Sequence, residues 1–321
     1  MRIAVIGAGA IGGLIAARLT AAGLPVPLVA RRRTLDALRR DGLSVEGPAG
    51  KPVRVRPQVT DDTLALGPQD AVVLAVPAPA LPEVLELLPP LLGRETRLVV
   101  MVGGVPWWYP AGQQDARPLA SVDPNGLLWN AIPAERIVGA VPRMAVQRRS
   151  PTYLRHLGGL RLAFGPVVGR RATGRGAVED LATLFGAGGF NAVAADNVRA
   201  EVWDALLPPL AFGALGITTG LSAPEIVGRT DLHPTLEALV TELAGLAAAL
   251  GHPMTVGLDE LWTLAQQPGR IRPDLTADLG ARRRAELEAV LDAPLELAAR
   301  AEVPMPTLNT LRALIRTTTQ R

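Results

Sequence analysis

The stretch VIGAGAIGG, residues 5–13, follows a short apolar run, RIAVI (2–6), and leads into the helical spacing Ile11, Leu14, Ile15, Leu19. Its glycines stand as Gly-x-Gly-x-x-Gly at Gly7, Gly9 and Gly12. Each has a separate physical task in a strand–turn–helix that holds a dinucleotide. Gly7 permits the tight turn, Gly9 lets the backbone approach a pyrophosphate, and Gly12 lets the helix pack against the strand. The helix N-terminus, at Ala10 and Ile11, offers N–H donors and a partial positive charge. Gly7, Gly9, Ala10, Ile11 and Gly12 are therefore the expected cofactor-binding residues of this turn.

Working outward, apolar runs alternate with helical spacings. PVPLVA (25–30) precedes the polar helix RRRTLDALRR (31–40), and LSVEG with PVRVRPQV suggests an antiparallel insert. DAVVLAV (70–76) and TRLVVMV (96–102) read as buried strands, and ALPEVLELLPPLLG between them as a helix ending at Gly93. Near-continuous Val/Leu strands separated by helices imply a parallel sheet covered on both faces. The second strand ends LVARRR, where an acid would take the ribose hydroxyls of NAD. Arg31, Arg32 and Arg33 stand there instead, and Arg31 suits the 2′-phosphate of NADP through charge-assisted bonds. NADP is the expected cofactor.

Composition narrows the chemistry. With 321 residues the chain is long enough for two domains. It has no cysteine, which excludes disulfides, thiol nucleophiles and zinc–thiolate sites, and its histidines (His156, His233, His252) are scattered. Lys51 is the only lysine, so an amine-dependent mechanism has one candidate. Arginines interleaved with acids rather than set in one stripe argue against nucleic acid. With a strand at the N-terminus in place of a charged-then-apolar leader, a cytoplasmic location is expected.

From Ile137 to Phe164 the pattern is β-rich; a helix around 177–185 and a strand at 190–195 follow. After Asp196–Asn197 the spacing is helical. Leu236, Leu239, Val240, Leu243, Leu246, Ala247 and Leu250 form one stripe, stopped by Gly251. The expected fold is thus α/β. An N-terminal Rossmann-type doubly wound domain (1–196) precedes an all-helical C-terminal domain (197–321). EVWDALLPPLAFGALGITTG (201–220) has about the length of a bilayer span. Its prolines, glycines and threonines, without flanking basic clusters, favour a buried helix, kinked at Pro209, over a membrane segment.

GAGAIGG, LVARRR, DAVVLAV, EVWDALL, DLGARRRAELEAVL and VPMPTLNTL together resemble the ketopantoate reductase family along essentially the whole chain. The resemblance implies reduction of a 2-keto acid by NADPH in a cleft between the domains. It adds Val76 and Gly103 to the cofactor-binding positions. On Trp203 and Leu206, the family's Trp-x-Lys-Leu-x-x-Asn-x-x-x-Asn falls here on Ala205 for lysine, and on Pro209 and Gly213 for the asparagines. The lysine after DAVVLAV is Pro77, and the later Asn-Gly is Gly103-Gly104. Trp203, Asp278 and Glu286, with Asp274 at a serine position, are the candidate catalytic residues that the resemblance leaves. Asp278 and Glu286 could equally form surface ion pairs with Arg282–Arg284.

A ketone needs a hydride and a proton for the developing alkoxide. Ala205 can donate none. Replacing a cation by Ala205 and a neutral group by Asp274 disfavours an anionic keto acid and suits a cationic or neutral substrate, an imine, iminium or bulky carbonyl. The alternative is a fold retained without redox chemistry, as a cyclase, dehydratase or pseudoenzyme. Tyr109, Tyr153 and His156 are the other candidate proton donors. Trp107, Trp108 and Tyr109 either wall a larger ligand or anchor their loop in a core or dimer contact. A small-molecule substrate is expected, and the apolar helical half is compatible with a homodimer.

Overall fold

The computed structural model describes residues 1–48, 50–169, 174–266 and 287–319. The chain divides into two compact units. The first comprises Met1–Val102, Pro110–Ala116 and Leu127–Val198; the second comprises Gly103–Tyr109, Arg117–Gly126 and Arg199–Arg321. The main division falls at 198/199, but two pieces of the loop that follows the strand Leu92–Val100 belong with the helical unit.

The first unit is built on one mixed sheet. Its strands are β1 (Ile3–Ile6), β2 (Leu28–Val29), β3 (Leu43–Glu46), β4 (Pro52–Val55) and β5 (Val59–Thr60). They continue with β6 (Gln69–Leu74), β7 (Leu92–Val100), β8 (Ile137–Ser150), β9 (Tyr153–Pro166) and β10 (Asn191–Ala194). Five parallel pairings give the run β5-β2-β1-β6-β7-β8. This is the doubly wound part read from the apolar runs. The long strand β9 then turns back antiparallel on β8.

LSVEG and PVRV do form an antiparallel pair, β3–β4, but no separate insert. Through β3, which runs parallel to the start of β9, the pair extends the main sheet. At its other end β9 carries β10 in parallel. The helices are α1 (Ala10–Ala21), α2 (Arg32–Asp41), α3 (Leu81–Val84), α4 (Leu127–Ala131) and α5 (Arg175–Ala187).

The expected helix up to Gly93 is instead a chain of short 3₁₀ and α turns, with only Leu81–Val84 α-helical, and Gly93 already lies in β7. Pro79, Pro82, Pro89 and Pro90 explain it. Each removes an N–H and crowds the preceding turn, so no long hydrogen-bond ladder can form.

The core of this unit lies between the sheet and its helices. Ile3, Val5, Leu14, Ile15, Leu28, Val73 and Val99 are buried in it. Phe185 meets Phe164 and Phe190 at ring distances of 5.0 and 5.8 Å.

In the second unit the described elements are helical. They are α6 (Val198–Thr219), α7 (Ala223–Val227), α8 (His233–Ala249), α9 (Leu258–Ala265), α10 (Ala293–Arg300) and α11 (Pro306–Thr319). A π-helical turn, Glu288–Asp292, runs directly into α10, and Pro294 falls just past that junction. The expected stripe is the buried face of α8 at Leu236, Leu239, Leu243, Leu246 and Ala247; Val240 and Leu250 are half-buried. Gly251 ends it at φ +77°. The Glu242 carboxylate accepts from the N–H groups of Thr307 (2.7 Å) and Leu308 (3.0 Å), capping α11 with negative charge.

Helix α6 is long and apolar enough to cross a membrane, but two-thirds of its most apolar window (67%) is packed inside the protein. It is continuous through Pro208 and Pro209, so the expected kink does not end it. Between residues 201 and 210 its unburied positions are Glu201, Ala205, Pro208 and Pro209, one face at helical spacing. The proline rings stand on that side, where nothing is packed tightly enough to exclude them.

Candidate active site

The glycine turn of the first unit is built by steric necessity at two of its three positions. Gly7 has φ +112°, and a Cβ there would lie 2.5 Å from the Ala75 carbonyl oxygen and 2.8 Å from Val76 Cγ1. A Cβ on Gly12 would lie 2.0 Å from the Gly7 carbonyl oxygen. The protein's own packing therefore demands both. Gly9 differs, because a Cβ there would meet nothing nearer than the Ala75 oxygen at 3.9 Å.

The packing of the chain itself does not require a glycine at this third position. Gly9 is also the N-cap of α1, with no side chain capping it and no acid in the first turn. The leading N–H groups at Ala10 and Ile11 are left for an anion. The residues present fit a dinucleotide pyrophosphate.

Arg31 stands just past β2 as the N-cap of α2. Its guanidinium is forked onto Glu83 of α3, with Nη1 giving to the carboxylate at 3.0 Å and Nη2 to the Glu83 carbonyl at 2.9 Å. Both side chains are largely exposed, so this pairing is weak and exchangeable. Arg32 beside it has φ +51°, a left-handed backbone rare outside glycine. The sharp bend it makes starts α2 directly at the strand end.

Val76 is half-buried against Gly7, and Pro77 is exposed. Gly103 is exposed with open space on its Cβ side. In the second unit Gly104, at φ +73°, is pressed on the π-helical turn, where a Cβ would lie 2.6 Å from the Ala289 carbonyl. The Val105 N–H bonds that same carbonyl at 2.8 Å.

The second unit contains a polar cluster that sequence reading did not foresee. Trp203 is fully buried and gives its Nε1–H to the Tyr109 hydroxyl at 2.7 Å, with the rings edge-to-face at 5.2 Å. Arg199, one turn earlier on α6, gives Nε–H to the Tyr109 carbonyl at 2.8 Å. Its guanidinium lies 5.9 Å from the Trp108 ring and 5.8 Å from the Tyr109 ring. Burial lowers the pKa of Arg199 and pushes that of the Tyr109 phenol well up. Trp107, Trp108 and Tyr109 are all buried, so of the two readings of this loop the structure realises the core anchor.

Several expected site residues take a structural place. Trp203 is enclosed, and its one polar atom is used by Tyr109. Among the candidate proton donors, the Tyr153 hydroxyl gives to Glu46 at 2.6 Å, and His156 Nε2 meets the Gly159 carbonyl at 2.7 Å. Lys51 is exposed in the turn before β4. Asp274, Asp278 and Glu286 lie outside the described residues. Asp204, next to Ala205, is buried and accepts from the Thr255 N–H at 2.8 Å, the Thr255 hydroxyl and the Val256 N–H. Ala205 is half-exposed on the unburied face of α6. Glu296 of α10 clamps the loop at 120–121, accepting from the Ala120 N–H (3.0 Å), the Ser121 N–H (2.9 Å) and the Ser121 hydroxyl (2.7 Å).

A mixed, largely parallel sheet unit whose glycine turn fits a pyrophosphate, joined in one chain to a helical unit, has the plan of a two-domain dinucleotide-dependent oxidoreductase. The ketopantoate reductase PanE/ApbA family model matches residues 3–169, and the model for its C-terminal domain matches 197–319. The chain belongs to the ketopantoate reductase family. A 2-dehydropantoate 2-reductase of Mesorhizobium japonicum is 33% identical over 98% of this chain and 97% of that protein. A crystal structure from Ralstonia solanacearum MolK2, assigned to the ketopantoate reductases, superposes with TM-score 0.87 at 30% identity, covering 99% of this chain and 98% of that one. D-mandelate dehydrogenase, solved with NADH and anilino(oxo)acetate, shares the fold at TM-score 0.80 and 17% identity, covering 100% of this chain and 98% of that one.

Proposed function

We propose that this chain is an NADPH-dependent reductase acting on a substrate other than ketopantoate, an imine, iminium or bulky carbonyl. The observation that carries the proposal is Ala205, half-exposed on the unburied face of α6 with Pro209 one turn on. Neither has a side-chain group that can give a proton. A carbonyl or a neutral imine needs one as negative charge develops on its oxygen or nitrogen, and here that proton would come from water or from the substrate itself; an iminium carbon that accepts a hydride becomes a neutral amine without one.

In this reading Gly7, Gly9 and Gly12 with the N-terminus of α1 hold the pyrophosphate, and Arg31 exchanges Glu83 for the 2′-phosphate. NADPH, when bound, supplies the hydride. The ligand is a small molecule rather than nucleic acid or membrane, the assembly a homodimer and the compartment the cytoplasm.

The test is to follow reduced-nicotinamide absorbance with ketopantoate, bulky 2-keto acids and cyclic imines in parallel. Turnover of imines or bulky carbonyls with ketopantoate inert is the expected result. Brisk ketopantoate turnover overturns the proposal. Tight NADPH binding without oxidation by any of the panel would favour a non-redox role for the fold.

A further inference from the structure

We infer that Arg32 is a second cofactor-specificity residue, whose guanidinium shares the charge of an adenosine 2′-phosphate with Arg31; the inference deepens the NADPH reading above and rests on it. Arg32 stands at φ +51°, where the chain bends from β2 into α2. The bend accounts for the backbone but not for the side chain. Glycine would make the same bend without the steric cost that an arginine carries there.

That backbone also changes what the side chain can meet. On a regular helix Arg32 would lie over Asp36, four residues on, at ion-pair spacing. A left-handed residue carries its Cβ off that stripe. Arg32 is exposed and has no hydrogen bond or ion pair among the described residues. Arg31, by contrast, is already forked onto Glu83.

The surroundings of Arg32 are cationic. The first turn of α2 holds no acid, although the positive end of a helix favours one. Arg31, Arg32 and Arg33 follow one another there, and β8 brings a fourth arginine, Arg148, whose Nη2 gives to Thr34 Oγ1 at 3.0 Å. Such a gathering of like charge works against the helix by itself and is offset by a multiply charged anion. A phosphate monoester carries about −1.5 to −2 near neutral pH, more than the Arg31 guanidinium alone neutralises. The adjacent exposed guanidinium supplies the remainder. A ribose hydroxyl, as in NADH, draws nothing from it.

The experiment is calorimetric titration of the full chain with adenosine 2′,5′-bisphosphate and with 5′-AMP, which differ only in the 2′-phosphate. Wild type is expected to prefer the bisphosphate. Arg32→Gly keeps the left-handed bend and should cut that preference about tenfold, with 5′-AMP affinity within about twofold of wild type. Without ligand it should melt no lower than wild type, since glycine relieves the strain. Arg33→Ala removes an equal charge one position on and should cut the preference by less than about threefold. The inference is overturned by a preference that survives Arg32→Gly, by an equal loss in Arg33→Ala, or by a wild type indifferent to the 2′-phosphate. A melting temperature well below wild type in Arg32→Gly would make the side chain structural and overturns it too. The two fragments carry no nicotinamide, so failure of the reductase reading is seen separately, as absent NADPH oxidation in protein that still shows the Arg32-dependent preference.

Discussion

The Tyr109 hydroxyl accepts the indole N–H of Trp203 at 2.7 Å inside the helical unit, and both residues are fully buried. That bond ties a loop following a sheet strand to the first helix of the unit in which the loop is packed. Tyr109→Phe removes the acceptor and leaves the Trp203 N–H buried without it. A loss of about 1–3 kcal/mol of unfolding free energy is expected, measured by urea denaturation. If the variant is as stable as wild type, the bond is not holding the loop.

The glycine turn makes a prediction with two arms. At Gly9 a methyl group has room, so Gly9→Ala should fold with wild-type stability and lose dinucleotide affinity by about tenfold or more, as one backbone–phosphate approach is blocked. At Gly12 the methyl would collide with the Gly7 carbonyl, so Gly12→Ala should lose about 2–3 kcal/mol of stability even without ligand. Thermal melting and NADPH titration of both variants separate the arms. Equal destabilisation by the two would contradict this assignment of roles.

Arg31 is held by Glu83 on the exposed rim beside β2. Glu83→Ala removes the carboxylate and leaves only the main-chain carbonyl as a partner of Arg31, and it should tighten NADPH severalfold, by about 0.5–1 kcal/mol, with NADH unchanged. Arg31→Ala should weaken NADPH alone, by about tenfold or more. The ratio of the two dissociation constants is the readout. A ratio indifferent to both substitutions would remove Arg31 from the 2′-phosphate site.

Glu296 provides a pH-dependent clamp. Burial alone would raise its pKa, but the hydroxyl and N–H of Ser121, the N–H of Ala120 and the Arg300 guanidinium outweigh that and hold it below the ordinary value of 4.5. A carboxyl depressed in the folded state contributes stability above its unfolded pKa and loses it as pH falls through the folded one. Glu296→Gln should therefore cost about 1–3 kcal/mol near neutral pH, and the difference from wild type should shrink below about pH 4. Urea midpoints across that range measure it; a difference independent of pH would place the clamp's value in packing rather than charge.

Much of this molecule is local in its causes and so is legible residue by residue. The glycine spacing, the Val/Leu strands and the α8 stripe each specify a short-range geometry by sterics and periodicity, and the structure has them where those rules put them. Where several prolines fall in one apolar run, at 79–90, periodicity alone overstates the helix, because a spacing of side chains says nothing of missing N–H groups. Ala205 and Pro209 could be flagged in the chain as departures from a family pattern. Their place together on the unburied face of α6 could not.

What the sequence determined by itself is the kind of most elements, the proline-rich run at 79–90 apart, and the character of the opening turn, since these depend on neighbours a few bonds apart. The tertiary structure alone decided that β3 joins β9, about 110 positions apart, and that Trp203 closes on Tyr109, 94 positions away. It likewise decided that Glu296 reaches Ser121. Such pairings depend on how whole faces pack, and no short window of residues encodes the partner, because many distant segments are chemically equivalent until the chain has condensed around one arrangement.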